Sequence, residues 1–238
     1  MKLEVKGAIV PNDDKWIYEL FEMDATSPKD ITDQLKDATG DIEVLINSGG
    51  GDVYSGSEIY TALRDVPNNV NVKIVGIAAS AASVIAMAGD KVEISPTAQI
   101  MIHNAATVAF GDNRSMEHTS NMLEGFNKSI ANAYMDKTGL SQDEILSMMD
   151  DETWLTADMA VEKGFADSKM FAENTPRLVA NAGQMLSDDV INRVSAIMNK
   201  TPEVKIDVDA IAEKVIEKMN NKTETEPEVK NGLKRFFF

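Results

Sequence analysis

The sequence predicts an α/β chain assembled from strand–helix crossover units. A short, largely apolar run, IEVLIN (Ile42–Asn47), has the length and composition of a strand buried in a sheet covered on both faces, and VNVKIVG (Val70–Gly76) reads as a second strand. Each run leads through small residues, Gly49-Gly50-Gly51 or Ala78-Ala79-Ser80-Ala81-Ala82, into a stretch with helical patterning. Pro67-Asn68-Asn69 marks a turn between the units.

Taken from the N-terminus, KLEVKGAIV (residues 2–10) reads as a strand closed by Pro11-Asn12-Asp13-Asp14. A mixed segment with Trp16, Ile17, Tyr18, Leu20 and Phe21 follows. Ser27-Pro28 has the form of a helix start, a cap followed by a proline at the first helical position, and that helix runs to about Ala38. Asp52 is a candidate cap for the helix after the glycine run, which extends to about Arg64; Ser55 and Glu58 also have capping-box spacing. After the serine segment come an apolar helical run, Val84 to Ala88, a stop at Gly89, and two strand-like runs, Lys91–Ser95 and Ala98–Ile102, which deliver His103. A loop over 104–113 precedes a long helix over 115–137 with a broad apolar face, ended by Gly139. A short helix over 141–149 leads through Asp150-Asp151-Glu152 into a strand edge at Thr153-Trp154-Leu155. Thr156 caps a last helix that stops at Gly164, and Phe165-Ala166-Asp167 closes the unit.

From about Asn174 the pattern changes, so the expected division is a domain over 1–173 and a C-terminal extension over 174–238. The extension carries two amphipathic helical patterns, a polar linker expected to be disordered over 220–231, and a Phe236-Phe237-Phe238 end.

Composition narrows the function. A formal net charge of −16 opposes nucleic-acid binding, which needs a basic face, and disfavours an anionic membrane surface. The absence of cysteine excludes thiol catalysis, disulfides and thiolate metal sites. With only two histidines, His103 and His118, no metal site and no cofactor are expected. No segment has the roughly 18 apolar residues of a membrane span, and the N-terminus has too short an apolar run for a signal peptide; a cytoplasmic protein is expected.

Ser80 and His103 are the candidate reactive pair. Small neighbours let a substrate backbone approach the Ser80 hydroxyl, and the helix start after it places free N–H groups nearby, among them that of Ala81. An imidazole at the end of a buried strand suits a general base. Read singly, each piece has a plainer explanation: Ala-Ala-Ser-Ala-Ala-Ser as tight helix–sheet packing, His103 as a hydrogen-bonded core histidine, and the acidic run 150–152 as a solvated loop. The glycine run lacks a dinucleotide fingerprint or a Walker lysine. It fits a turn that offers N–H groups to an extended peptide or an oxyanion. His118 reads as a solvated helix-start residue.

Together, INSGGGDVYSG, GIAASAASVIAMAG, MIHN and ETWLTADMAVEKGFAD resemble, in this order, the glycine-turn, nucleophile, histidine and closing motifs of the Clp protease proteolytic subunit family, over residues 2–170. The Trp-Leu-Thr-Ala closing motif and the SPKDI opening resemble most closely the bacteriophage head-maturation (prohead) proteases within it. The resemblance implies a fold of repeated ββα units of the Clp-protease and crotonase type, and serine endopeptidase activity. Ser80 becomes the nucleophile, His103 the general base, and the N–H groups of Gly51 and Ala81 the oxyanion hole. Gly49 and Gly50 belong to the strand that receives the substrate, although Gly49 replaces the family's usual proline. The third triad member falls on Glu152, two residues before Trp154, with Asp151 as the alternative.

The implied partners are protein substrates, a scaffold or capsid precursor, and further copies of the chain in a ring, with the long helix over 115–137 corresponding to the family's handle between stacked rings. The implied location is the host cytoplasm and the prohead interior. Three other readings stay open: a host-type Clp subunit fed by an AAA+ unfoldase, a crotonase-fold acyl-CoA enzyme, and a non-catalytic scaffold-assembly protein.

Overall fold

A computed structural model describes residues 1–171. The expected C-terminal extension, with its helical patterns and Phe-rich end, lies outside the described residues. Apolar alternation along the chain builds one sheet, flanked by helices that cover its buried faces. The chain runs β1 (Lys2–Ile9), α1 (Lys15–Leu20), β2 (Ala25–Thr26), α2 (Pro28–Leu35), β3 (Ile42–Gly51), α3 (Val53–Asp65), β4 (Val70–Ala79) and α4 (Ala81–Ala86). It continues through β5 (Lys91–Ile94), β6 (Gln99–Ile102), α5 (Asn113–Thr138), α6 (Gln142–Asp150), β7 (Thr153–Thr156), α7 (Ala157–Glu162) and β8 (Ser168–Lys169). The main strand order is β2-β1-β3-β4-β5-β8, all parallel; β6 leaves this path to pair with β4 and, antiparallel, with β7. This is the mixed α/β architecture expected of the fold class.

Burial follows the strand period. In β3 the side chains of Ile42, Val44 and Ile46 are fully buried, and in β4 so are Val72 and Ile74. Alanine-rich α4 lies in the core with every residue buried, because small side chains let it approach the sheet closely. The helix begins at Ala81, directly after the serine, rather than at Val84 as the apolar run suggested; alanine's high helix propensity starts it earlier.

The helix ends repay comparison with the sequence signals. Ser27 starts α2: its backbone N–H and its hydroxyl both donate to Asp30 Oδ2, at 2.8 and 2.9 Å. Asp30 also pairs with Lys15 on α1. The helix stops at Leu35, short of the expected Ala38. Asp52 caps α3 by accepting from the Ser55 N–H at 2.7 Å. Ser55 lies inside the helix and donates its hydroxyl to Asp52, so the alternative box with Glu58 does not form.

The glycine run departs from expectation. Gly49–Gly51 are the end of β3, not a turn after it. β3 pairs with β1 as far as Ile9↔Gly51, whereas its pairing with β4 ends at Ser48↔Ala78. Ser48 secures the arrangement, donating its hydroxyl to the Gly7 carbonyl at 2.6 Å and accepting the Gly50 N–H at 3.1 Å.

β4 is shared between two neighbours. Residues Asn71–Ile74 pair with β5 and residues Ile77–Ala79 pair with β6, so the sheet forks along this strand. Between Ile46↔Ile74 and Ser48↔Ala78 the register with β3 shifts, and Asn47 Oδ1 fills the gap by accepting the Ile77 N–H at 3.2 Å. A Cβ at Gly76 would lie 2.2 Å from that oxygen, so a larger residue here would displace the Asn47 side chain that bridges the gap.

Candidate active site

The site lies where β4 passes into α4. The Ser80 N–H continues the β4–β6 ladder by donating to the Met101 carbonyl at 2.9 Å, and His103 follows β6 by one residue. This ladder brings two side chains distant in sequence together: His103 Nε2 and Ser80 Oγ are 2.8 Å apart. Both expected members of the reactive pair therefore meet in hydrogen-bond geometry, the arrangement that lets an imidazole accept a hydroxyl proton. Ser80 is held at φ 54°, ψ −126°, a conformation that costs a non-glycine residue roughly 1–3 kcal/mol and clusters at functional sites.

Gly50 backs directly onto the serine. A Cβ there would fall 2.7 Å from the Ser80 Cβ and 3.0 Å from the Ala81 nitrogen, and the residue has φ 94°. Only glycine meets both the space and the dihedral angle. Gly51, at φ 151°, is closed off by the Ile9 carbonyl, 2.1 Å from the position of its absent Cβ. The Asp52 N–H donates to that same carbonyl at 2.8 Å. β3 has no β4 partner beyond Ser48; of the three glycines that follow, Gly49 and Gly51 are exposed and Gly50 is buried against Ser80.

The acidic run behaves differently from the expectation. Extending the β6–β7 register by one residue from Ile102↔Thr153 sets Glu152 across from His103. Yet Glu152 has φ 48° and so leaves the strand, and its exposed carboxylate accepts from Trp154 Nε1 at 3.2 Å. Asp151, also exposed, follows the end of α6. No hydrogen bond or ion pair joins either carboxylate to His103 in this structure, a departure from the contact expected of the third triad member. The neighbouring acid is the one engaged near the histidine: Asp150 Oδ1 accepts from the Asn104 amide at 2.6 Å, while the buried Asn104 Oδ1 has no partner. His118 is exposed on α5, away from the pair.

Two participants were not singled out from the sequence. The Ser83 hydroxyl lies 2.6 Å from the Ser80 carbonyl and 2.8 Å from the Tyr134 hydroxyl, and both side chains are buried. Burial pushes the Tyr134 phenol well above its usual range, so it remains a donor. The only sequence signal for Ser83 is its place in the AASAAS repeat, and Tyr134 reads there as core. Beside Ser80 opens a cavity of about 330 Å³ whose walls include Tyr54, Val84, Ala105, Phe126 and Ile130, with the Tyr54 and Phe126 rings edge to face at 5.2 Å. It suits an apolar side chain. Among the described residues, no three His, Cys, Asp or Glu side chains gather to hold a metal ion, and no helix is long and apolar enough to cross a membrane.

Comparison with known proteins bears on this geometry. The Clp protease family model matches residues 22–173. The ATP-dependent Clp protease proteolytic subunit of Bacteroides fragilis is 35% identical over 129 residues, 53% of this chain and 62% of that protein. The chain thus spans slightly less than two thirds of that relative's length. The ATP-dependent Clp protease proteolytic subunit 1 of Streptomyces avermitilis is 32% identical over 152 residues, 63% of this chain and 70% of that one. A solved structure of a ClpP1 mutant from Listeria monocytogenes matches with a TM-score of 0.59 at 24% identity, covering 73% of this chain and 92% of that one. That last likeness speaks to the fold.

Proposed function

Because the chain belongs to the Clp protease family, we propose that it is a serine endopeptidase whose nucleophile is Ser80 and whose general base is His103. The observation that carries this is the 2.8 Å contact between His103 Nε2 and Ser80 Oγ. In the proposed reaction the Ser80 hydroxyl attacks the scissile carbonyl while its proton passes to His103 Nε2. The resulting oxyanion is held by the N–H groups of Gly51 and Ala81. His103 then gives the proton to the leaving amine, and water releases the acyl group by the same route in reverse. An extended substrate adds as a strand along Gly49–Gly51, where β3 lacks its β4 partner, and one apolar side chain enters the cavity beside Ser80.

Glu152 serves as the orienting acid in this reading, with Asp151 as the alternative. What supports Glu152 is its place directly before Thr153, which pairs with Ile102, the residue directly before His103. To act there, its carboxylate exchanges the Trp154 indole for the imidazole, a side-chain rotation at an exposed residue.

The substrate reading is a phage prohead protease that assembles as a ring and cleaves a scaffold or capsid precursor. It rests on the sequence resemblance of the Trp-Leu-Thr-Ala and SPKDI segments, with the extension from residue 174 as a docking element for scaffold or portal. A second reading, a peptidase subunit fed by an ATP-driven unfoldase, is favoured by the names of the relatives, both ATP-dependent Clp protease proteolytic subunits.

One experiment separates these. Wild type and Ser80→Ala are each divided: one portion is labelled with a fluorophosphonate probe, and a separate, unlabelled portion is mixed with capsid or scaffold precursor, with and without an unfoldase and ATP. Labelling at Ser80 and cleavage of precursor without ATP support the prohead reading. Cleavage only with unfoldase and ATP moves the assignment to the second, and cleavage by the alanine variant removes Ser80 from the reaction.

A further inference from the structure

We propose that Ser83 and Tyr134 are positioning residues for the oxyanion donor, holding the peptide plane between Ser80 and Ala81 so that the Ala81 N–H faces the developing negative charge. The inference rests on the serine-peptidase reading above. It begins from the planarity of the peptide unit: in a trans peptide, the carbonyl of one residue and the N–H of the next point in opposite directions. Whatever fixes the Ser80 carbonyl therefore also aims the Ala81 N–H.

That carbonyl is held by an unusual number of donors. It accepts the Ser83 N–H at 2.9 Å, the Val84 N–H at 3.3 Å and the Ser83 hydroxyl at 2.6 Å. A hydroxyl has one proton to give. With that proton on the Ser80 carbonyl, Ser83 Oγ is the acceptor in its 2.8 Å contact with Tyr134, and the Tyr134 hydroxyl is the donor. The result is a directed chain from Tyr134 through Ser83 to the Ser80 carbonyl. Both hydroxyl-bearing residues are sealed from water, at 1% and 0% exposure, so solvent does not replace either bond.

The position of this chain gives it its significance. Ser80 sits at positive φ, from which rotation of the following peptide is the natural relief. Such rotation turns the Ala81 N–H away from its target while leaving the Ser80 side chain near His103. The backbone bonds at the start of α4 resist it from one side, and the Ser83 hydroxyl adds the shortest of the three contacts. Tyr134 anchors that hydroxyl to α5, the helix that also supplies Phe126 and Ile130 to the cavity beside Ser80. An alanine at 83 together with a phenylalanine at 134 would fill the same space with no polar group to satisfy, so a hydroxyl pair here needs a reason other than filling the core.

The test uses the full-length chain with Tyr134→Phe, Ser83→Ala and the double substitution. Three quantities are read: kcat and KM on a peptide that wild type cleaves, the rate of Ser80 labelling by a fluorophosphonate, and affinity for a peptide aldehyde against the matching peptide amide. The aldehyde forms a hemiacetal whose oxygen occupies the oxyanion position; the amide, bound without reacting, does not. Removing an oxyanion donor outright costs about 10²–10³, so loosening one is expected to lower kcat and aldehyde affinity about tenfold in Ser83→Ala, with KM and amide affinity unchanged.

Tyr134→Phe, which keeps the ring and its packing, is expected to lower the same two quantities about threefold. The double variant should be no worse than Ser83→Ala, since Tyr134 acts through Ser83. Wild-type kcat in both single variants, or aldehyde and amide affinities that fall together, overturns the proposal. Failure of wild type itself to label at Ser80 would instead remove the serine-peptidase reading on which it depends.

Discussion

The two sides of the imidazole are built by different means. On the serine side, Ser80 and His103 are each carried by a strand, and the β4–β6 ladder fixes their separation: the Ser80 N–H bonds the Met101 carbonyl two residues before the histidine. On the acidic side, Glu152 stands just before β7, outside the β6–β7 register, at φ 48°, with Trp154 holding its carboxylate. One contact is imposed by main-chain hydrogen bonds and close packing against Gly50. A contact from Glu152 to the imidazole would require its exposed side chain to rotate away from Trp154. A ladder constrains the side chains it carries in a way that a surface loop does not.

The comparison can be broken most directly on its rigid side. Ser80→Ala is expected to lower kcat/KM by about 10⁶ with an unchanged melting temperature, measured by peptide hydrolysis and thermal denaturation. Gly50→Ala should come next: its Cβ would meet the Ser80 Cβ at 2.7 Å. We expect fluorophosphonate labelling to slow by about 10² or more and stability to fall by about 1–3 kcal/mol, because the residue also has φ 94°. A Gly50→Ala variant that labels normally would mean that the serine turn tolerates displacement.

The acidic side is tested by a pair of substitutions. Glu152→Gln should lower kcat by about 10²-fold or more if its carboxylate orients the imidazole in the working enzyme, whereas Asp151→Asn should stay within about twofold. The reverse result would assign the role to Asp151, and no effect from either would leave the acidic run as surface.

The smallest effect belongs to a region remote from both sides. Partial burial raises the Asp30 carboxyl, but the Lys15 ammonium and the two Ser27 donors outweigh it and hold it below its ordinary value. A carboxyl lowered in the folded state stabilises the protein fully above its unfolded pKa of about 3.9, and that contribution is lost as pH falls through the lower folded value. Ser27→Ala is therefore expected to cost about 1 kcal/mol at neutral pH with kcat unchanged. Denaturant titrations of wild type and Asp30→Asn should converge as pH drops below about 4.

How much of this could be read from the chain follows the same division. IEVLIN and VNVKIVG, the Asp52 cap and the long helix ending at Gly139 were visible because local composition decides them. Ser80 and His103 were visible as a pair through the order of motifs. The glycine run was misread as a turn because its extended form depends on β1, a partner some forty residues earlier: Ile9 pairs with Gly51. Strands β2 and β8, two residues each, carry no periodicity to detect. The direction of Glu152 hangs on a single dihedral angle. Tyr134 and Ser83 lie 51 residues apart, and only the packing of α5 on α4 joins them.

The fork in β4 has a consequence for how the molecule comes apart. Residues 71–74 are bonded to β5 and continuously to β3 inside the core, whereas residues 77–79 and Ser80 meet β3 only at Ser48↔Ala78 and the Asn47 side chain and otherwise bond β6, which is itself held on its far side by the four-residue strand β7. Opening of the second limb separates the serine from the histidine without disturbing the first. The amide hydrogen of Ser80, bonded to Met101 on β6, should then exchange with deuterium at a lower protection factor than those of Val72 to Ile74, through a sub-global opening rather than global unfolding. Loss of catalytic competence on mild heating would precede the main calorimetric transition, and cooling would restore it.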